Sequence, residues 1–199
     1  MSPEDYDVPQ HEDETERPTE LDPTNLTLSY LTCPQDAAGA FLGALLVTDY
    51  RTRPLHFSFV SPIRPTKMQR VLYGRTLDEH VKIDVVAQKL LKDLPCVFNV
   101  LFVDAPELVA ARRITQIPTA FLNKQTDTKT EPGKLTTLQY DTGQNIGDQE
   151  AVGRILATLE TLIDLVEPFP RMREALKEAI KSPQAQGNQS DGVAQQKEK

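Results

Sequence analysis

Apolar and polar positions along the chain recur with two periods, and the places where one gives way to the other mark the predicted elements. Leu26 to Thr32 (LTLSYLT) alternates apolar and hydroxyl residues and predicts a short strand closed off by Pro34. Ala40 to Asp49 predicts a second strand. Pro54 to Ser61 predicts a third, with Leu55, Phe57 and Phe59 on one face and His56, Ser58 and Val60 on the other. The polar YRTR between these two has hairpin length, so they should pair antiparallel.

Beyond Pro62 and Pro65 the period lengthens. Thr66 with Gln69 has capping-box spacing and opens a short helix that Gly74 should stop. Thr76 with Glu79 repeats that spacing ahead of a longer helix, with Leu77, Val81, Val85 or Val86, Leu90 or Leu91, and Leu94 on one stripe up to Pro95. Cys96 to Asp104 is almost continuously apolar, as a strand covered on both faces reads. A short helix follows from Pro106 and ends before Pro118. PTAFLN and KLTTLQYD predict two further strands joined by a polar connection. From Asp148, the residues Val152, Ile155, Leu156, Leu159, Leu162, Ile163 and Val166 make one helical stripe as far as Pro168, and RMREALKEAI adds a short helix after Pro170. This order implies a single α/β (or α+β) domain over residues 26–181, a mixed sheet of about five strands with an N-terminal hairpin and helices on both faces.

Composition limits that domain at both ends. Residues 1–25 hold nine acids, one arginine and four prolines with no apolar period, so they cannot bury enough surface to offset their ordering entropy. Residues 182–199 are polar and Gln-rich. Both read as disordered tails. The net charge of -7 over 199 residues therefore lies almost wholly in the first tail, and the remainder is near neutral, with 21 Lys and Arg against 20 Asp and Glu. That balance does not indicate a nucleic-acid binder, whose positive excess is global. The N-terminus lacks the basic and apolar regions of a signal peptide, and no apolar run approaches the roughly 20 residues of a membrane span. A soluble cytoplasmic protein without a membrane partner is expected.

Against this background Arg51 to Arg75 stands out: six Lys and Arg and no acid. Arg64, Lys67, Arg70 and Arg75 cluster about a predicted helix start, where free N–H groups already favour anions, and they predict a surface for phosphate, a phosphodiester or an acidic peptide. The plainer alternative pairs these cations with Asp78, Glu79 and Asp84 on a solvated face. A second functional reading takes Asp49, Asp104, Asp148 and Glu150, acids at strand and helix ends, as ligands of divalent metals in a nuclease or phosphoesterase resembling a ribonuclease H-like site. Turn and capping roles explain the same acids. A third is a structural protein–protein interaction domain, whose mark would be a contiguous exposed apolar patch.

Cys33 and Cys96 lack metal-ligand or redox spacing, and His11, His56 and His80 accompany no nucleophile motif. No catalytic residue and no cofactor is implied. The favoured expectation is a binding or regulatory module rather than an enzyme, with an anionic ligand or a protein as its partner.

Overall fold

The computed structural model describes residues 21–92, 94–125 and 137–181. The predicted tails fall outside this range except for residues 21–25. There Pro23–Asn25 form one 3-10 turn, Asp22 Oδ1 accepts from Thr24 N (2.9 Å), and Leu21 packs against the core.

Six strands form one mixed sheet: β1 Thr27–Thr32, β2 Ala44–Asp49, β3 Pro54–Phe59, β4 Val100–Val103, β5 Thr119–Gln125 and β6 Thr137–Asp141. Their order across the sheet is β3-β2-β1-β4-β5-β6. β1, β2 and β3 are antiparallel neighbours, β4 and β5 run parallel to β1, and β6 closes the far edge antiparallel to β5. The mixed α/β sheet and the leading hairpin agree with the sequence pattern. The sheet holds six strands where about five were expected, and β1, predicted from its alternation of apolar and hydroxyl residues, lies in its interior.

β1 is central because its two side-chain sets are buried on opposite faces. Leu28 and Tyr30 join Leu46, Val100, Phe102 and Leu122 on one face, and Leu31 joins Leu45, Val47, Leu101 and Val103 on the other. The first face is covered by α4 (Ile146–Leu159) and α5 (Pro168–Lys181). The second is covered by α2, which runs through Leu77–Glu79, a π-helical segment His80–Ala87 and Gln88–Lys92, and by α3, a 3-10 segment Pro106–Ala111 continued by Arg112–Thr115. One further helix, α1 (Lys67–Tyr73), covers neither.

Three local expectations need correction. Thr76 does not cap α2: the chain enters through a 3-10 turn, Gly74–Thr76, already in helical conformation, and the Thr76 hydroxyl donates to Tyr73 O (2.9 Å). The stripe from Val152 to Val166 is not one helix. It ends at Leu159, and the Asp164 carboxylate, by accepting from Val166 N (3.0 Å), shapes a turn that starts α5 at Pro168 instead of after Pro170. The N-cap of α4 is Asn145, which places Asp148 inside the first turn.

Tyr30 is fully buried between Phe102 (ring centroids 5.5 Å apart) and Phe169 (5.4 Å), and its hydroxyl has no hydrogen-bond partner. Burial raises its pKa and holds the phenol neutral. A buried polar atom without a partner forfeits its hydration, so Tyr30→Phe should raise stability by about 1 kcal/mol in urea titration. A loss of stability would show that the hydroxyl is bonded after all.

Among the described residues no helix is long and apolar enough to cross a membrane.

Candidate functional site

α1 follows from Thr66 for a local reason. The Thr66 side chain accepts from Gln69 N (3.2 Å) and the Gln69 side chain from Thr66 N (2.8 Å), so the predicted capping box is complete. Gly74, at φ 52°, ends the helix in a conformation that a side chain would strain. Tyr73 stacks on His80 of α2 (centroids 4.5 Å apart) and anchors the last turn.

The remaining side chains of α1 face outward. None of its residues is buried, and Met68, Val71 and Leu72 are 71%, 75% and 75% exposed. At 100° per residue, Arg70, Lys67, Val71, Met68 and Leu72 occupy one continuous arc, cationic on one flank and apolar on the other. Seven residues are too few for a helix to persist in water by propensity, so α1 rests on its cap, its glycine and the Tyr73 stack, with no apolar burial to hold it.

Of the expected cationic residues, Lys67 and Arg70 lie on this helix, Arg64 precedes it and Arg75 follows Gly74. Arg64 Nη2 lies 3.8 Å from Asp36 Oδ2, and Arg70 Nη2 lies 3.5 Å from Gly39 O, so both reach the same Asp36–Gly39 turn. Lys67 is one helical turn from Arg70. Lys67 and Arg75 are exposed and make no ion pair among the described residues. Two of the three acids proposed to neutralise them are engaged elsewhere: Arg113 pairs with Glu79 (3.5 Å) and Asp84 (2.8 Å), and Asp84 also meets His80 Nδ1 (3.0 Å), while Asp78 is exposed and makes no ion pair among the described residues. The hydrogen bond from His80, followed by that from Arg113, keeps the Asp84 carboxyl below its ordinary range. No acid of α2 forms an ion pair with the island. The capping box occupies the Thr66 and Gln69 amides and leaves the cationic side chains around them to meet an anion.

The four acids read as metal ligands do not come together. Asp49 pairs in register with Thr27 at the start of β1, where its Oδ1 accepts from Arg51 N and Arg53 N (both 2.9 Å) and shapes the hairpin. Asp104 lies at the other end of β1, accepting from Thr32 Oγ1 (2.6 Å) and Arg173 Nη2 (2.5 Å). Five residues of strand separate those ends by about 17 Å. Asp148 is buried against Arg112 and Thr119, and Glu150 is exposed on α4. Where β1 and β4 end side by side, the carboxylate of Asp104 meets a hydroxyl and a guanidinium, which already balances its charge. Among the described residues no group of three or more His, Cys, Asp or Glu side chains is placed to hold a metal ion.

A cleft of about 760 Å³ lies between α3 and the turn before α4, lined by Pro106, Arg112, Arg113, Gln116 and Asn145 among others. Its charges are committed: Arg112 to Asp148, Arg113 to Glu79 and Asp84, Glu107 to Lys82. The Lys82 hydrogen bond lowers the Glu107 pKa, against its own desolvation. None of these groups is left to meet a ligand.

Neither thiol is an activated nucleophile. Burial pushes Cys33 up to about 12, and desolvation also raises Cys96. At pH 8 a thiol reagent should modify half-buried Cys96 and leave Cys33 intact until the chain is unfolded, as mass spectrometry of the labelled peptides would show.

No family model matches the chain, and no curated protein matches its sequence.

Proposed function

We propose that the protein is a binding module of the cytoplasm and that α1, with Arg64 and Arg75 beside it, is its docking surface for an acidic protein segment. The observation that carries this reading is a helix that buries nothing yet presents Met68, Val71 and Leu72 next to uncompensated Lys67 and Arg70. Cations alone would suit phosphate or a phosphodiester. The apolar flank gains nothing from such ligands, and it gains about 25 cal/mol per Å² when covered by an apolar surface. An acidic peptide with apolar side chains at helical or alternating spacing satisfies both flanks. Two free thiols fit a reducing compartment.

The test is anisotropy titration of the full chain with a labelled Glu-rich peptide carrying Leu and Phe anchors, beside a polyglutamate peptide, an oligonucleotide and inorganic phosphate. Binding of the anchored peptide should weaken with salt. It should fall roughly tenfold or more, about 1.4 kcal/mol, in both Lys67→Ala/Arg70→Ala and Met68→Ser/Leu72→Ser. These exposed positions should shift unfolding by no more than about 0.5 kcal/mol, so lost binding is not lost fold. If phosphate or the oligonucleotide binds as well as the anchored peptide and the apolar substitutions change nothing, the surface is a simple anion site.

A further inference from the structure

β3 is an open sheet edge. It lies last in the strand order, and on its outer side no strand pairs with it among the described residues. Val60 N donates to Gly43 O (3.0 Å), and the register then alternates, so Ser58 turns its backbone groups toward β2 while Phe57 and Phe59 turn theirs outward. Edges of this kind are ordinarily blunted by charge, proline or a bulge. Here Pro54 and the irregularity opposite Val47 and Thr48 blunt only the beginning, and His56 to Phe59 holds no Lys, Arg, Asp or Glu. Leu55, which the irregularity leaves without a partner on β2, is 60% exposed. The accepting length is a few residues.

The ends of that edge are strongly positive. Arg51 and Arg53 precede β3, Arg64 follows it, and no acid occurs from Arg51 to Arg75. A second copy pairing edge to edge would bring like charges together, which disfavours it. An acidic strand is favoured. The chain carries an acidic stretch in its own N-terminal segment: Glu4-Asp5-Tyr6-Asp7-Val8 lies between Pro3 and Pro9, and once paired as a strand it would set Tyr6 and Val8 on one side and Asp5 and Asp7 on the other. Its two prolines limit a strand to about the length the edge offers.

We propose that residues 4–8 add to β3 as a further strand, setting Tyr6 and Val8 beside Phe57 and Phe59 and bringing acids to the arginine-flanked edge. The connection permits it. Leu21 sits beside the start of β1, and an added strand would lie three strand spacings from β1, about 14 Å. The twelve residues 9–20 span up to about 40 Å. This strand addition and the role of α1 share Arg64, but the variants that test them do not: Tyr6→Pro and Asp5→Lys/Asp7→Lys here, Lys67→Ala/Arg70→Ala and Met68→Ser/Leu72→Ser there.

The experiment is residue-resolved hydrogen exchange on the full chain at several protein concentrations, in the wild type and in two variants, Tyr6→Pro and Asp5→Lys/Asp7→Lys. Both lie outside the described residues, and the Tyr30 amide in β1 reports whether either disturbs the core. The Phe57 and Phe59 amides should be protected in the wild type independently of concentration. Each variant should speed their exchange roughly tenfold, while the Tyr30 amide in β1 is unchanged. Exchange in the wild type at the rate of an unpaired amide would overturn the proposal. So would protection that survives both variants, and if that protection rises with concentration the occupant is a second copy.

Discussion

Asp148→Ala is expected to destabilise the protein by about 3 kcal/mol. The Asp148 side chain is buried and serves two donors: Arg112 Nε at 2.7 Å and Thr119 N, at the head of β5, at 3.3 Å. Alanine would leave a partly buried guanidinium with only Gln116 Oε1 at 3.3 Å and strand a buried amide. Asp148→Asn retains an acceptor for Thr119 and should cost less, about 1–2 kcal/mol, because only the charge is lost. The double variant Arg112→Ala/Asp148→Ala should be milder than the sum of the singles, since neither charge is then unpaired. Urea unfolding of the four chains measures this. Strict additivity would mean that the ion pair, despite its burial, behaves as a surface pair of little worth.

The same residue shows what sequence reading reaches and where it stops. Asp148 before an apolar stripe signals a helix start, and α4 does begin there; that its carboxylate faces Arg112 is a contact across 36 residues that no local pattern encodes. Local chemistry was legible wherever it closed on itself. The Thr66 and Gln69 box and the alternation of Phe57 and Phe59 formed as their spacing required, whereas of the apolar run Cys96–Asp104 only Val100–Val103 became strand and Val97 is exposed. Spacing failed where the backbone entered a helix already wound, as at Thr76, or turned within an apolar stripe, as after Leu159.

The candidate site was legible by half. Arg64, Lys67 and Arg70 could be gathered from their density in an otherwise near-neutral domain. That none of them pairs with Glu79 or Asp84 depended on Arg113, nearly 30 residues beyond Asp84, taking those two acids. The exposure of Met68, Val71 and Leu72 had no sequence signal, because an amphipathic helix looks the same whether its apolar side meets the chain's own sheet or another molecule. The tertiary structure decides it: α2 fills the face that α1 would otherwise have covered.

That placement of α2 leads to the second large effect. Gly43, just before β2, should not tolerate a side chain: a Cβ there would lie 2.1 Å from Val86 Cγ1 and 3.0 Å from Val60 Cγ2. Both valines are buried, and a β-branched side chain within a helix has essentially one rotamer, so Val86 cannot swing aside. The π-helical segment of α2 carries Val86 onto the sheet at the one residue without a Cβ, which lets helix and strand approach closely. Gly43→Ala is therefore expected to cost about 3 kcal/mol through overpacking. Val86→Ala alone should cost about 2 kcal/mol as a cavity. Combined, the two should restore each other in part, because the alanine methyl at position 43 enters the space that the valine vacates, and the double variant should unfold within about 1 kcal/mol of Val86→Ala. Denaturation of the three variants gives the coupling directly. If Gly43→Ala is equally damaging with and without Val86, the glycine is needed for its backbone and not for the contact. If the two compensate, the seat of α2, and with it the outward position of α1, is set by that single missing side chain.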